Sequence, residues 1–465
     1  MSIQLSCGKI NAGGVAVLLT VLVVSAFFSI ILFLEADGGE VQPPGMETKP
    51  YKSPVSVVTK NVELIREFVL PSASDPSTVV IPFQNSTGLT KMAHLFFNGG
   101  TCNALHEGES IESYNNHSTL VEMKFNCLDL FKNSGLGTGN FISAFYAMRM
   151  VVHALGPKGD VLIECDDAEE TKKELILPWM MGKFPRLPEG DPEWDEQPSA
   201  ADACRDYKQV PVGYRWKDMV FEMRRMAIAM VGIPSPDHPS AAWAEEHLWS
   251  TPSNRHEHGR DYFQLPHPQK GDPPLFPDTE IDDAVLHFRC GDIIMTNHPS
   301  FGFMKFGSFS RHISPDVRRI GIVTQPFDQG GLQRRGDAGD EKQRRCKKVV
   351  YEFKDHLHEK FPDAEINIWN SVNESIAQTF ARMIMANQTV VAISSFGVFP
   401  GVTTFGTGYI REPDFMKAPN RWLLTSPIVE KAGNIVLVKE PMIFSGQAKK
   451  MWDENTLLDW FKNYD

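Results

Sequence analysis

Ala284-Val285-Leu286-His287-Phe288-Arg289-Cys290-Gly291-Asp292 opens as an apolar run and closes on polar residues and a glycine. Residues 284–289 read as a β-strand stopped by a turn. Alternation along a strand puts His287 and Arg289 on one face and Leu286 and Phe288 on the other, with the polar pair at the carboxyl end. Downstream, Ile320 to Val323 reads as another strand. Between Glu341 and Phe361 the residues Val349, Phe353, Leu357 and Phe361 line one helical face, opposite Lys342, Arg345 and Lys348 on what reads as a solvated face. Ala364 to Trp369 is a strand, and Ser371 with Glu374 forms a capping box for a helix marked by Ile376, Phe380, Met383 and Ile384. Thr389 to Ile393 is the next strand, ended by Ser394 and Ser395. Strands alternating with helices predict an α/β fold with a parallel sheet, whose ligands collect beyond the carboxyl ends of its strands.

A second α/β portion precedes this one. Gly135, Gly137 and Gly139 form a glycine loop ending at Asn140, followed by a helical pattern from Phe141 to Leu155 and a strand from Asp160 to Cys165. No Lys-Ser/Thr follows the glycines, so the loop is not a Walker loop. Trp216, Met219, Met223, Met226 and Met230 fall on one stripe of a helix over 215–231, a pattern expected of core. The predicted organisation is a cytosolic tail (1–9), a transmembrane anchor (10–34), a stem (35–76), an N-terminal α/β domain (77–280) and a C-terminal α/β domain (281–465). The N-terminal domain includes a Pro/His-rich segment over 234–277, and a terminal helix closes the chain over 453–463.

The anchor rests on length. Ile10 to Leu34 is a run of 25 residues without a charge, more than the roughly 20 needed to cross a bilayer. Lys9 precedes it, while Glu35, Asp37 and Glu40 follow, which leaves the N-terminus cytosolic and the rest lumenal, a type II layout. Sequons at Asn85, Asn116, Asn373 and Asn387 agree with a secretory lumen. The six cysteines after the anchor would permit up to three disulfides there. With 46 Lys+Arg against 58 Asp+Glu, the net charge of −12 repels phosphate backbones and argues against nucleic-acid binding. Apolar residues at 42% and charged residues at 22% are globular usage, which excludes a disordered or collagen-like polymer.

Two groups of residues carry chemistry. At a strand's carboxyl end, Arg289 can hold two phosphate oxygens at once, Gly291 permits a tight turn, and Asp292 can fix the arginine or bond nearby amides. The alternative is a plain strand-end ion pair between Arg289 and Asp292. In Ser394-Ser395-Phe396-Gly397-Val398-Phe399-Pro400-Gly401, two hydroxyls and backbone amides make an anion cradle if a helix follows, or otherwise an N-cap and a turn. Parallel strands of one sheet would bring both groups to the same edge.

A glycine loop opening a helix, then His287-x-Arg289-x-Gly291-Asp292, then Ser394-Ser395-Phe396, resembles the fucosyltransferases, the superfamily of α1,2-, α1,6- and protein O-fucosyltransferases. The likeness lies in three short islands across residues 130–410. It implies a B-type glycosyltransferase with two Rossmann-like domains facing a cleft, GDP-fucose as donor, a glycan or glycoprotein acceptor, inversion at the sugar carbon and no metal. By position it implies that Arg289 and Asp292 are catalytic. The donor-binding set it implies is His287, Arg289, Ser394, Ser395, Phe396, Gly137 and Asn140. Together with the short tail and type II layout it points to a Golgi membrane. This chain has Cys290 where many members carry a second arginine, and Thr138-Gly139 alters the spacing of the glycine loop.

Two other readings stay open. Glu164-Cys165-Asp166-Asp167 follows a strand, the setting of the metal-binding carboxylates of A-type glycosyltransferases, in which Asp166 and Asp167 would hold a divalent cation. A non-catalytic relative that binds glycans or proteins in the secretory pathway is the other. His256 and His258, with His247 and His267 nearby, lack the helical spacing of a zinc enzyme and read as an acceptor-facing loop.

Overall fold

The computed structural model describes residues 71–72, 75–80, 120–128, 131, 138–139, 142, 161–180, 182–184, 216–250, 262–290, 293–294, 302–325, 338–370, 372–392, 394–412 and 433–463. The chain divides into Met1–Ser53 and Pro54–Asp465, and every described element belongs to the second unit. Among the described residues no helix is long and apolar enough to cross a membrane. The predicted span Ile10 to Leu34 lies outside them.

The first sheet has the order β1-β2-β3-β4-β5, formed by Pro71–Ser72, Asp75–Val80, Leu120–Phe125, Val161–Cys165 and Lys183–Phe184. Its β2, β3 and β4 are parallel, while β1 and β5 run antiparallel at the two edges. After β4 comes the short helix α1 (Ala168–Thr171), and α2 (Trp216–Val231) and α3 (Pro239–Ala244) follow.

The second sheet is built from β6 (Ala284–His287), β8 (Arg319–Val323), β9 (Glu365–Trp369), β10 (Gln388–Val391), β11 (Thr407–Arg411) and β12 (Ile435–Val438), all parallel. Its order, β12-β11-β10-β6-β8-β9, is the 3-2-1-4-5-6 order of the doubly wound Rossmann sheet, with the chain's direction of travel reversing between β6 and β10. Helices α5 (Ala338–Lys360), α6 (Ile376–Met385) and α7 (Ser395–Thr403) make the crossovers after β8, β9 and β10. Between β6 and β8 lie β7 (Gly302–Met304) and α4 (Phe306–Ser310), and β13 (Met442–Phe444) pairs antiparallel with β7. Helices α8 (Ser445–Asp453) and α9 (Leu457–Lys462) close the described chain.

Alternation along the strands sorts the core into two layers. Leu286, Phe288, Ile320, Ile322 and Val390 face a cluster with Phe353 of α5 and Phe461 of α9. Val285, Val323 and Val391 face the other cluster, with α2, α6 and α7. Helix α2 is the joint of the molecule: Met219, Met223, Met226 and Met230 are each at most 1% exposed, in a cluster that also takes in Cys165 and Trp179 of the first sheet's side. Arg225 on the same helix is fully buried, donating to Leu265 O (2.8 Å) and Trp179 O (2.6 Å). The Pro/His-rich segment packs on this helix rather than standing apart from it, with Leu275 and Phe276 amides bonding Ala229 O and Met230 O.

Three expectations need correction. Helix α6 is capped by Ser375, whose Oγ accepts from the Gln378 amide at 3.1 Å, and not by a Ser371–Glu374 box, because Glu374 is buried and paired with Arg382. Arg345 does not sit on a solvated face: its side chain is 11% exposed, bonded to Glu341 and laid 5.0 Å over the Trp452 ring. The terminal helix expected over 453–463 occurs as α9, Leu457–Lys462, beginning only after Asn455, whose φ of 58° is left-handed, and a further helix, α8, precedes it.

Candidate functional site

Strand β6 lies between β8 and β10, and His287 is in register with Val323 on one side and Val391 on the other. That position is the carboxyl end of the central strand, beside the reversal of strand order, where doubly wound sheets bind ligands. Strand β10 ends at Val391, and Ser394, three residues on, caps α7 with its Oγ accepting from the Phe396 amide at 3.2 Å. The hydroxyl cap follows from an extended serine before an apolar helical run. Helix α7 therefore starts at the same edge that His287 reaches, and its open amides and positive dipole end suit an anion.

The two groups touch. The Phe396 ring stacks on the His287 imidazole at 5.4 Å and 23°, with Phe380 of α6 set edge-on to Phe396 at 4.7 Å. Gly397 lets the helix come this close, since a Cβ there would fall 2.6 Å from His287 Nδ1 and 2.6 Å from Val391 Cγ1. Among the described residues, His287 Nδ1 is buried with no hydrogen-bond partner. Burial first, and the Arg289 guanidinium second, push the His287 pKa down to about 3. At neutral pH the ring is uncharged, so the positive field at this edge comes from Arg289 and the helix end. Arg289 is half-buried. Cys290 is fully buried in the opposite layer and joined to Cys346 of α5 in a disulfide, with Cα atoms 5.5 Å apart. Cys290 therefore lies on the side of the sheet opposite the face that His287 occupies.

The structure brings His287, Arg289, Ser394 and Phe396 to one edge, together with the backbone of Ser395 as the first residue of α7. Asp292, Gly291, Gly137 and Asn140 lie outside the described residues. Gly397 was within the quoted stretch but gave no sign in the sequence of what it would meet, because contact with the imidazole depends on β6 and β10 being neighbours.

At the carboxyl end of the first sheet, Cys127 and Cys165 form a second disulfide, with Cα atoms 5.3 Å apart. Asp167 lies with them, the three ligand-type atoms all within 4.8 Å of one another. Its two carboxylate oxygens accept the Cys127 and Leu128 amides at 2.7 and 3.0 Å. The sulfurs are consumed by each other and the carboxylate is held by two backbone amides just past β3, so this group is built as a staple. Asp166 beside it is exposed. Of the histidines, His247 stacks on Trp243 at 4.8 Å, and His267 is buried against Phe221 and Phe263. His256 and His258 lie outside the described residues, as do Asn85 and Asn116. Asn373 and Asn387 are exposed.

A further buried imidazole sets an acid response. His356, beside Phe306 and bonded to Ser310 Oγ at 3.2 Å, is lowered to about 4, by burial first and then by Lys360 and Lys462. With both folded pKa values depressed below the unfolded value of about 6.5, the unfolded chain binds more protons in between. Stability is therefore full above about pH 6.5 and falls as pH drops toward the folded values. Urea midpoints at pH 7 and pH 5 should show this loss. His356→Gln, which keeps a donor for Ser310 and cannot titrate, should show a smaller one; an unchanged loss would remove His356 from the account.

No family model, no curated protein and no solved structure matches this chain. Fold and site define it as an α/β protein with a doubly wound parallel sheet, in which His287, Arg289 and the Ser394-capped start of α7 meet beside the reversal of strand order.

Proposed function

We propose that this chain is a lumenal glycosyltransferase of the B type, resembling the fucosyltransferases, held in a Golgi membrane by its N-terminal segment. It transfers a sugar, with GDP-fucose the favoured donor, to a glycan or glycoprotein acceptor without a metal and with inversion. The observation that supports this most is the neighbourhood of β6 and β10: Arg289 follows the one and the Ser394-capped helix follows the other, on either side of the strand-order reversal. A diphosphate laid across that edge meets a guanidinium and a row of helix amides.

Breaking a sugar–phosphate bond builds negative charge on the leaving diphosphate. Fixed donors aimed at such a charge are worth about 2.7–4 kcal/mol each where measured at oxyanion sites. Arg289 and the first-turn amides of α7 not taken by the Ser394 hydroxyl are the donors in this proposal, and Asp292 is assigned to steady the arginine from its place in the sequence alone. Neutral His287, walled by Phe396 and closed over by Gly397, is the buried floor on which this edge rests. The metal-dependent alternative is the weaker reading, since the Asp167 oxygens are already engaged by backbone amides.

The test is nucleotide release from a panel of sugar nucleotides by the full-length chain, with and without EDTA, beside Arg289→Ala. Hydrolysis of GDP-fucose is expected to survive EDTA and to fall at least tenfold in the variant, about 1.4 kcal/mol of transition-state stabilisation. Release abolished by EDTA but untouched by Arg289→Ala would move the site to Asp166. No release, with no nucleotide changing the melting temperature, would favour the glycan- or protein-binding reading.

A further inference from the structure

We infer that the Cys290–Cys346 disulfide is the positioning device of the candidate site, fixing Arg289 at the crevice by anchoring its neighbour in the opposite layer. This rests on the nucleotide-sugar reading for what Arg289 does, though not for how it is held. Strand β6 ends at His287, and the Phe288 amide still bonds Val323 O at 2.9 Å. Arg289 thus stands just past the ladder, where pairing no longer dictates its direction. What brackets it are two residues buried in one cluster, Phe288 at 1% exposure and Cys290 at 0%. With both side chains sunk into that layer, alternation turns the residue between them the other way, toward the face of His287.

Cys290 is the stronger of the two anchors because its partner is covalent. Cys346 is 1% exposed in the same cluster as Val349, Val350 and Phe353 of α5, a 23-residue helix. The link joins chain positions 56 residues apart. The turn closes at once beyond it, with the Ile293 amide bonding Cys290 O at 3.0 Å and Ile293 and Ile294 buried in the same layer. Cys290 therefore supplies a crosslink that sets the direction of the arginine before it. Cys127–Cys165, in the other sheet, is the natural comparison, having the same chemistry with no such neighbour.

The test uses the full-length chain with Cys290→Ala/Cys346→Ala, Cys127→Ala/Cys165→Ala and Arg289→Ala. Hydrogen exchange is read over residues 288–294 and 284–287, and GDP affinity is measured well below each variant's melting temperature. Loss of Cys290–Cys346 is expected to speed exchange at least tenfold over 288–294 while 284–287 stays protected. It should weaken GDP about tenfold, and adding Arg289→Ala should then cost little more. Loss of Cys127–Cys165 should leave GDP affinity unchanged. Unaltered exchange over 288–294 in the folded variant would overturn the inference, as would full additivity of the disulfide and Arg289 losses. Should the wild type bind no GDP, the nucleotide reading fails and the exchange comparison alone decides the positioning claim. A variant too unstable to purify is replaced by Cys290→Val/Cys346→Ala, which refills the cluster and is judged by the same exchange.

Discussion

Arg382→Met is expected to lower the unfolding free energy by about 3–5 kcal/mol, because it strips buried Glu374 of its cation and leaves buried Asp282 with Arg319 alone, 4.0 Å away. Arg382 is 1% exposed within α6. Its Nε donates to Glu374 Oε1 at 2.8 Å, Nη2 reaches the same oxygen, and Nη1 donates to Asp282 Oδ2 at 2.7 Å and to Glu280 O at 2.7 Å. The guanidinium lies 3.8 Å from the centre of the Trp369 ring, whose Nε1 donates to the same Asp282 oxygen at 3.0 Å. Room for this comes from Gly321 of β8, where a Cβ would sit 2.5 Å from Asp282 Oδ2. Burial holds the Asp282 pKa above the usual carboxylate range even with Arg382 opposing it, so removing the arginine raises it further. A carboxyl raised on folding contributes stability at low pH and loses it as pH rises through the folded value. The deficit of Arg382→Met should therefore be larger at pH 7 than at pH 5 in urea denaturation. A deficit below about 1 kcal/mol at pH 7 would mean that the network adds nothing over an apolar filling. Asp282→Asn/Glu374→Gln/Arg382→Met should recover part of the loss, since no unpaired charge then remains.

This network marks where sequence reading stops. Strands over 284–289, 320–323, 364–369 and 389–393 were legible because short apolar runs end in polar residues, and they occur as 284–287, 319–323, 365–369 and 388–391. Helix α2 was legible from its methionine stripe. Glu374 has a physical reason to mislead: a glutamate three residues after a serine looks like a cap locally, whereas its true partner is Arg382 eight residues on, about two turns along, and burial decides between them. Arg345 was misread likewise, because Trp452 covers it from a distant helix. For the site, spacing alone put His287 and Arg289 on one face. The placement of β6 beside β10, the stacking of Phe396 on His287 and the direction of Cys290 depend on strand order, and no local pattern encodes that order.

Gly397→Ala is the second large effect expected, a loss of about 1–3 kcal/mol from overpacking a closed contact together with loss of nucleotide binding at the crevice. The new methyl carbon would meet His287 Nδ1 and Val391 Cγ1, each at 2.6 Å. Both side chains are buried, and the imidazole is further confined by the Phe396 ring, so neither is a loose end that swings aside. Either the ring tilts out of its stack or the first turn of α7 lifts from β6 and β10, and both move the amides that face the ligand. Gly401, one turn on, is a graded control: its nearest neighbour would be Val391 Cγ2 at 3.0 Å, so Gly401→Ala should cost less. His287→Ala in the Gly397→Ala background removes one of the two clashing groups. The pair should therefore be less damaging than the sum of the single losses, by about 0.5–3 kcal/mol of coupling. Thermal and urea unfolding of the four proteins, with GDP affinity beside each, measures this. Simple additivity would mean that α7 does not press on His287. Coupling would mean that the close approach of helix and central strand is the feature that makes one edge of this sheet a binding site, with Gly397 the residue that permits it.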